Sequence, residues 1–190
     1  MPQRPADSRL VCGATVLLLA WATAMPGAHA ATDGPLYRWQ FQQKFVDGQS
    51  FKSLKAGRRA TVKGPVLFSG KPPLALLLDG NSKARHHVSV ATGLKKLTLP
   101  QKAISVETWI SIERPAEWGG LCRIIQDNGD YERGWLLGYR KQNFFFAVSS
   151  EKKKKLTYLI DPRGFETGYW NHVVGTYDAV QTSLAFLPVE

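Results

Sequence analysis

The stretch "AISVETWISI", Ala103 to Ile112, decides the fold class. Ile104, Val106, Thr108, Ile110 and Ile112 recur at every second position, with Ser105, Glu107, Trp109 and Ser111 between them. A helix gathers side chains three and four apart, whereas a period of two places one set on each face of a strand. β-Branched residues dominate the first set, which suits a pleated, half-buried surface. Working outward, the pattern returns. "PLYRWQF" predicts an edge strand with Trp39 and Phe41 on one face, and "PPLALLLDG" is an apolar run closed by Asp79-Gly80. "HHVSVA" alternates, and "LCRIIQ" runs into the turn-rich "DNGD". "GWLLGYR" and "NFFFAVSS" are separated by Lys141-Gln142, the spacing of a tight hairpin. "KLTYLI", "YWNHVVGTYD" and "TSLAFL" follow. About nine or ten such runs, with turns every eight to twelve residues, predict an all-β fold, an antiparallel two-sheet sandwich.

"VDGQSFKSLKAGRRATVKG" is polar, basic and glycine-punctuated, and reads as a surface connection. Residues 31–72 are therefore expected to be an N-terminal edge strand plus a long connection, and 73–190 the sandwich domain. No internal repeat, low-complexity tract or second domain is visible in the sequence.

The first thirty residues read differently. Arg4 and Arg9 precede the apolar "LVCGATVLLLAWATAM", and Ala28 and Ala30 flank His29 as a small-x-small end. This is the pattern of a secretory signal peptide cut at Ala30/Ala31. A membrane anchor needs about twenty apolar residues, and Pro26, Gly27 and His29 end this run early. Cys12 lies within the run rather than at the cut, which excludes a lipoprotein signal. The expected location is secreted, periplasmic or cell-surface, with residues 1–30 outside the fold. Removing Arg4, Arg9 and Asp7 lowers the formal charge of +10 by one. An exported basic protein has little occasion to meet nucleic acid; acidic polysaccharide, anionic surfaces or solubility account for the balance. Lys152–Lys155 sit between two strands, where a charged hairpin tip discourages edge pairing. Cys122, the one cysteine after the cut, has no intrachain partner and is expected to pack as a small apolar residue.

Four segments also stand in a telling order. "LDG" (78–80) precedes "AISVETWISI" (103–112), then "GWLLGY" (134–139), then "YWNHVVGTYD" (169–178). The E-x-W of Glu107 and Trp109 and the W-x-H-V-x-G-T-Y-D of Trp170 to Asp178 carry the most weight. Over about residues 74–178 the chain resembles the laminin-G-like family of concanavalin A-like jelly rolls. That resemblance implies two antiparallel sheets packed face to face and a non-catalytic recognition or adhesion role. It implies a glycan or an extracellular protein as partner. In such families the T-Y-D turn leads into a strand and further closing strands; here "AVQTSLAFLPVE" starts that strand and reaches Pro188, so closing strands are expected to be missing.

Catalysis finds little support. Jelly-roll glucanases carry a tight E-x-D-x-x-E on one strand, and none is present. Glu107 and Glu113 lie about 20 Å apart along a strand, against the 5–5.5 Å of a retaining pair. His172 and Asp178 share a face but are also about 20 Å apart, and no nucleophile elbow accompanies them. His86 and His87 point to opposite faces, so they make a poor metal pair. The resemblance makes calcium the most credible cofactor, since some laminin-G-like and related jelly rolls bind it at rim loops; Asp79, Asp127, Asn128 and Asp130 are the candidate ligands at turns, although Asp and Asn favour turns without an ion. Trp118 in "AEWGG" and Tyr131 in "DNGDYERGW" are the candidate ligand-binding aromatics, expected to project from a rim. The alternatives to a free-standing binding module are a targeting module of a larger secreted hydrolase and a glucanase.

Overall fold

The computed structural model describes residues 9–12, 15–19, 35–54, 57–70, 74–80, 86–90, 103–127, 129–149, 154–178 and 183–186, with 9–12, 15–19 and 183–186 described by backbone alone. Among these residues, regular structure is β apart from one 3-10 turn at Gln43–Phe45. The strands are β1 (Arg9–Cys12), β2 (Thr15–Leu19), β3 (Tyr37–Gln40), β4 (Val46–Asp47), β5 (Ser50–Lys52) and β6 (Arg59–Lys63). There follow β7 (Leu67–Phe68), β8 (Leu76–Asp79), β9 (His87–Ser89), β10 (Ala103–Ile112) and β11 (Trp118–Asp127). The last five are β12 (Glu132–Arg140), β13 (Asn143–Ser149), β14 (Leu156–Gly164), β15 (Trp170–Asp178) and β16 (Ser183–Phe186).

They form three antiparallel sheets. The largest runs β16-β15-β10-β1-β8-β7, with β2 bonded to both β10 and β3. The second is the meander β11-β12-β13-β14, and the third is the small sheet β4-β5-β6-β9. The alternation of β10 is realised: Ile104, Val106, Ile110 and Ile112 are buried in the core, while Trp109 on the other face is exposed. Opposite them, Trp135, Leu137, Tyr139, Phe144 and Phe146 of the meander supply the facing layer.

The two layers approach most closely at Gly175. A Cβ there would lie 2.6 Å from the Phe146 ring, so the glycine of "HVVGTYD" is a packing requirement rather than a conformational one. The hairpin between β12 and β13 turns on Lys141-Gln142, with Lys141 at φ 54°. Cys122 packs partly buried against the core.

Two segments differ from expectation. Residues 46–63 are not a surface connection but the hairpins β4-β5-β6. Phe51, Ala60 and Val62 are fully buried, and Lys52, Arg59 and Lys63 occupy the alternate, exposed face. The first hairpin of the segment turns on Gly48-Gln49 between Asp47 and Ser50, with Gly48 at φ 58°. Residues 9–19 were expected outside the fold, yet β1 and β2 pair with β8, β10 and β3. Apart from Arg9 the run is uncharged and mostly apolar, and such a run satisfies the backbone groups of a core sheet as readily as it would suit a leader. The run after the T-Y-D turn does form a strand, β16, which pairs with β15 from Asp178↔Ser183 to Gly175↔Phe186.

Candidate functional site

A bulge determines which way Trp118 faces. From Asp127↔Glu132 to Cys122↔Leu137 the β11–β12 ladder is regular, and then the register shifts between Gly120 and Cys122. Cys122 and Ile124 pack against the core. Uninterrupted alternation would therefore turn Gly120 and Trp118 inward as well. The extra residue flips the parity, so Gly119 takes the inward position opposite Tyr139 and Trp118 stands outward opposite Arg140. Gly119 has no side chain because the Tyr139 ring fills that space. The Tyr139 hydroxyl accepts a hydrogen bond from the Ala116 amide at 3.3 Å. Burial pushes the Tyr139 phenol above its ordinary value of 10.0, and the Ala116 bond partly offsets this.

On the outward face of the meander, Trp118 heads an aromatic group. Its ring meets Phe145 edge-on with centroids 5.7 Å apart and Tyr158 at 6.2 Å, and Phe145 and Tyr158 are themselves 5.2 Å apart. Such edge-to-face pairs suit the ring quadrupoles. Phe145 lies between Gly138 and Ile160 in register, and the bare Gly138 gives its ring room. Trp118 and Tyr158 cover it to 1 % exposure, yet Trp118 itself remains 49 % exposed. The Arg140 guanidinium lies 4.8 Å from the Trp118 ring centroid, a cation–π contact. The Tyr158 phenol is also raised above its ordinary value, first by burial and then by the charges of Glu132 and Asp127. Directly beyond the Trp118–Arg140 rung is an open cleft of about 540 Å³, lined by Pro115, Ala116, Glu117, Lys141 and Gln142. The Lys141 amide donates to the Glu117 carbonyl at 2.8 Å and closes the ladder there. Arg140, Tyr158 and Phe145 were not singled out from the sequence. Their proximity to Trp118 depends on the bulge and on cross-strand register.

The first sheet has a second outward group. Trp109 and His172 are directly opposite, with rings stacked 4.7 Å apart at 9°, and His172 Nε2 is 3.1 Å from Glu107 Oε1. That approach lacks the alignment of a hydrogen bond, since both His172 ring nitrogens are buried without a hydrogen-bond partner. The two motifs meet only at the Trp109–His172 rung, with Glu107 opposite Val174 and Trp170 opposite Ser111, so the group depends on cross-strand register. His172 and Asp178 remain six positions apart on β15, as strand geometry requires.

Other sequence-chosen residues are dispersed. Tyr131 is half-buried in the turn after β11, at the opposite end of the hairpin from Trp118. Nine rungs of about 3.3 Å separate the two ends, roughly 30 Å. Asp127 and Asp130 are near this turn, and Asp127 Oδ1 accepts a hydrogen bond from the Gly129 amide at 2.7 Å, a turn-forming role. Asn128 lies outside the described residues. Asp79 ends β8 in the other sheet, where its amide donates to His86 Nδ1 at 3.0 Å. Among the described residues no three His, Cys, Asp or Glu side chains converge as a metal site.

Comparison with known proteins places this geometry in context. The chain is 26% identical over 93 residues to Pappalysin-1 of Mus musculus, a match covering 43% of this chain and 6% of that protein. No solved structure matches it. The model of the Laminin_G_3 family, of the concanavalin A-like lectin/glucanases superfamily, matches residues 79–186, which is more than half of the chain. With its facing antiparallel sheets and the E-x-W and W-x-H strands paired across β10 and β15, the chain belongs to this laminin-G-like family of the concanavalin A-like superfamily.

Proposed function

We propose that the protein is an exported, non-catalytic recognition module that binds a glycan across the Trp118 face. The observation that carries this is the half-exposed Trp118 ring, braced by Phe145 and Tyr158, next to Arg140 and a cleft containing Glu117, Lys141 and Gln142. The C–H-rich face of a pyranose stacks on an aromatic ring while nearby polar groups order its hydroxyls. Membership of a laminin-G-like family supports a binding or adhesion role with an extracellular ligand. Tyr131 contributes only to a ligand long enough to run the length of the hairpin. Export follows from the reading of residues 1–30, and among the described residues no helix is long and apolar enough to cross a membrane.

A second reading makes this the targeting module of a larger secreted hydrolase. It is favoured by the match to Pappalysin-1, since the chain spans only 6% of that relative's length.

A glycan array followed by calorimetry on the best ligand tests the first reading. Trp118→Ala is expected to weaken binding at least tenfold, about 1.4 kcal/mol, and Arg140→Ala several-fold, with far-ultraviolet circular dichroism unchanged. Undiminished binding by Trp118→Ala would sink the assignment of this face.

A further inference from the structure

The apolar N-terminal run does not lie at the periphery of the sheet. β1 has β10 on one side and β8 on the other, and β2 has β10 on one side and β3 on the other. Both stretches run antiparallel to every neighbour, β1 meeting β10 at Leu10↔Ile112 and Val11↔Ser111 and β2 meeting it from Glu107↔Leu17 to Ser105↔Leu19. The flanking strands belong to the core: Tyr37, Trp39, Leu76, Ile104, Val106 and Ile110 are buried. Removing residues 9–19 would leave a gap one strand wide, with β10 and its former neighbours about 10 Å apart. Unpaired N–H and C=O groups would face each other across it, each carrying the cost of an unmade hydrogen bond in a core.

We propose that this gap is a strand-acceptor site which, once the leader is removed, takes an extended apolar segment of a partner polypeptide. The proposal rests on the leader reading given above. The segment that fills the gap in the full chain defines the chemistry of the occupant. After Arg9 at the first rung, residues 10–19 carry no charged side chain, as suits a strand paired on both edges within a sheet. The occupant must offer backbone donors and acceptors along both edges over about eleven residues, which a glycan or a helix cannot do. Strand addition is a known mode of peptide recognition, with main-chain bonds giving affinity and alternate side chains giving specificity. Here the added strand is paired on two edges rather than one, so exchange is expected to be slow.

The test uses the full chain with a site for a specific protease inserted within residues 21–30, cut after folding. A labelled synthetic peptide of residues 9–19, with Cys12→Ser, is then offered, and hydrogen exchange is followed over Ile104–Ile112. The cut protein is expected either to retain its N-terminal fragment on gel filtration or to exchange it for the peptide at one per chain, whereas the uncut protein takes none. A peptide carrying Leu17→Pro, which loses a ladder donor, is expected to bind at least tenfold more weakly. Loss of the fragment without uptake of the peptide overturns the proposal, as does equal uptake of the Leu17→Pro peptide. N-terminal sequencing of the exported protein tests the leader reading separately, because peptide uptake by protein cut in vitro does not depend on how cells process it.

Discussion

Replacing Gly175 by alanine probes the contact that sets the spacing of the two layers. A Cβ at this position would be 2.6 Å from Cγ and 2.8 Å from Cδ2 of Phe146, where carbon atoms settle at about 3.5–4.0 Å. Phe146 is 1 % exposed and packed beside Trp135, with ring centroids 6.4 Å apart, so it has little room to yield. The layers must therefore separate locally by about 1 Å, and overpacking of this kind costs about 1–3 kcal/mol. Alanine also restricts the unfolded chain, which returns about 0.4–1 kcal/mol. The net expectation is a loss of about 1.5 kcal/mol, or roughly 3–6 °C in Tm for a domain of this size. Urea and thermal melts would measure it. Gly70→Ala, whose added Cβ meets nothing within 4 Å, serves as the control and should stay within about 0.5 kcal/mol. Phe146→Leu should recover part of the Gly175→Ala loss, with a coupling above about 0.5 kcal/mol. A neutral Gly175→Ala, or an additive double variant, would refute the packing argument.

Three further expectations concern other links in the chain. The raised Tyr139 phenol stays protonated in the folded protein above pH 10.0, where the unfolded chain ionises. The unfolded state then binds fewer protons and stability falls as pH rises. Tyr139→Phe should therefore make the alkaline loss shallower, leaving the share that comes from Tyr158, which is raised too; an unchanged slope would count against a buried Tyr139. Glu107→Gln and His172→Gln should couple by roughly 0.5–2 kcal/mol in a double-mutant cycle, because both side chains are about 15 % exposed and 3.1 Å apart; a coupling near zero would mean proximity without interaction. Phe51→Ala should cost about 3–5 kcal/mol if residues 46–63 belong to the core, and a loss below about 1 kcal/mol would return them to the surface.

Much of the fold was legible because β-structure writes its faces into alternate residues. β10 and β15 could be read from "AISVETWISI" and "YWNHVVGTYD" alone, and the turn at Lys141-Gln142 follows from two residues between two apolar runs. Residues 46–63 were misread because, among the described residues, their buried apolar set is Phe51, Ala60 and Val62, outweighed in composition by the charged and polar residues between them. The site was legible only in part. Trp118 stood out as an aromatic in a glycine-rich stretch, but Arg140, Phe145 and Tyr158 lie twenty-two or more positions away and meet it across three strands.

The amino-acid sequence by itself determined the all-β class, the main strand pattern and the inward faces, since burial with a period of two follows from the chain's own geometry. The direction of Trp118 is another matter. One extra residue between Gly120 and Cys122 reverses the parity of β11, and no periodicity in the sequence announces it. Only the paired strands, with Tyr139 seated over Gly119 and Arg140 drawn onto the indole, decide that this tryptophan faces solvent. Strand pairing also decided the place of residues 9–19, because an apolar run fits a leader and a core strand equally well until its backbone partners are known.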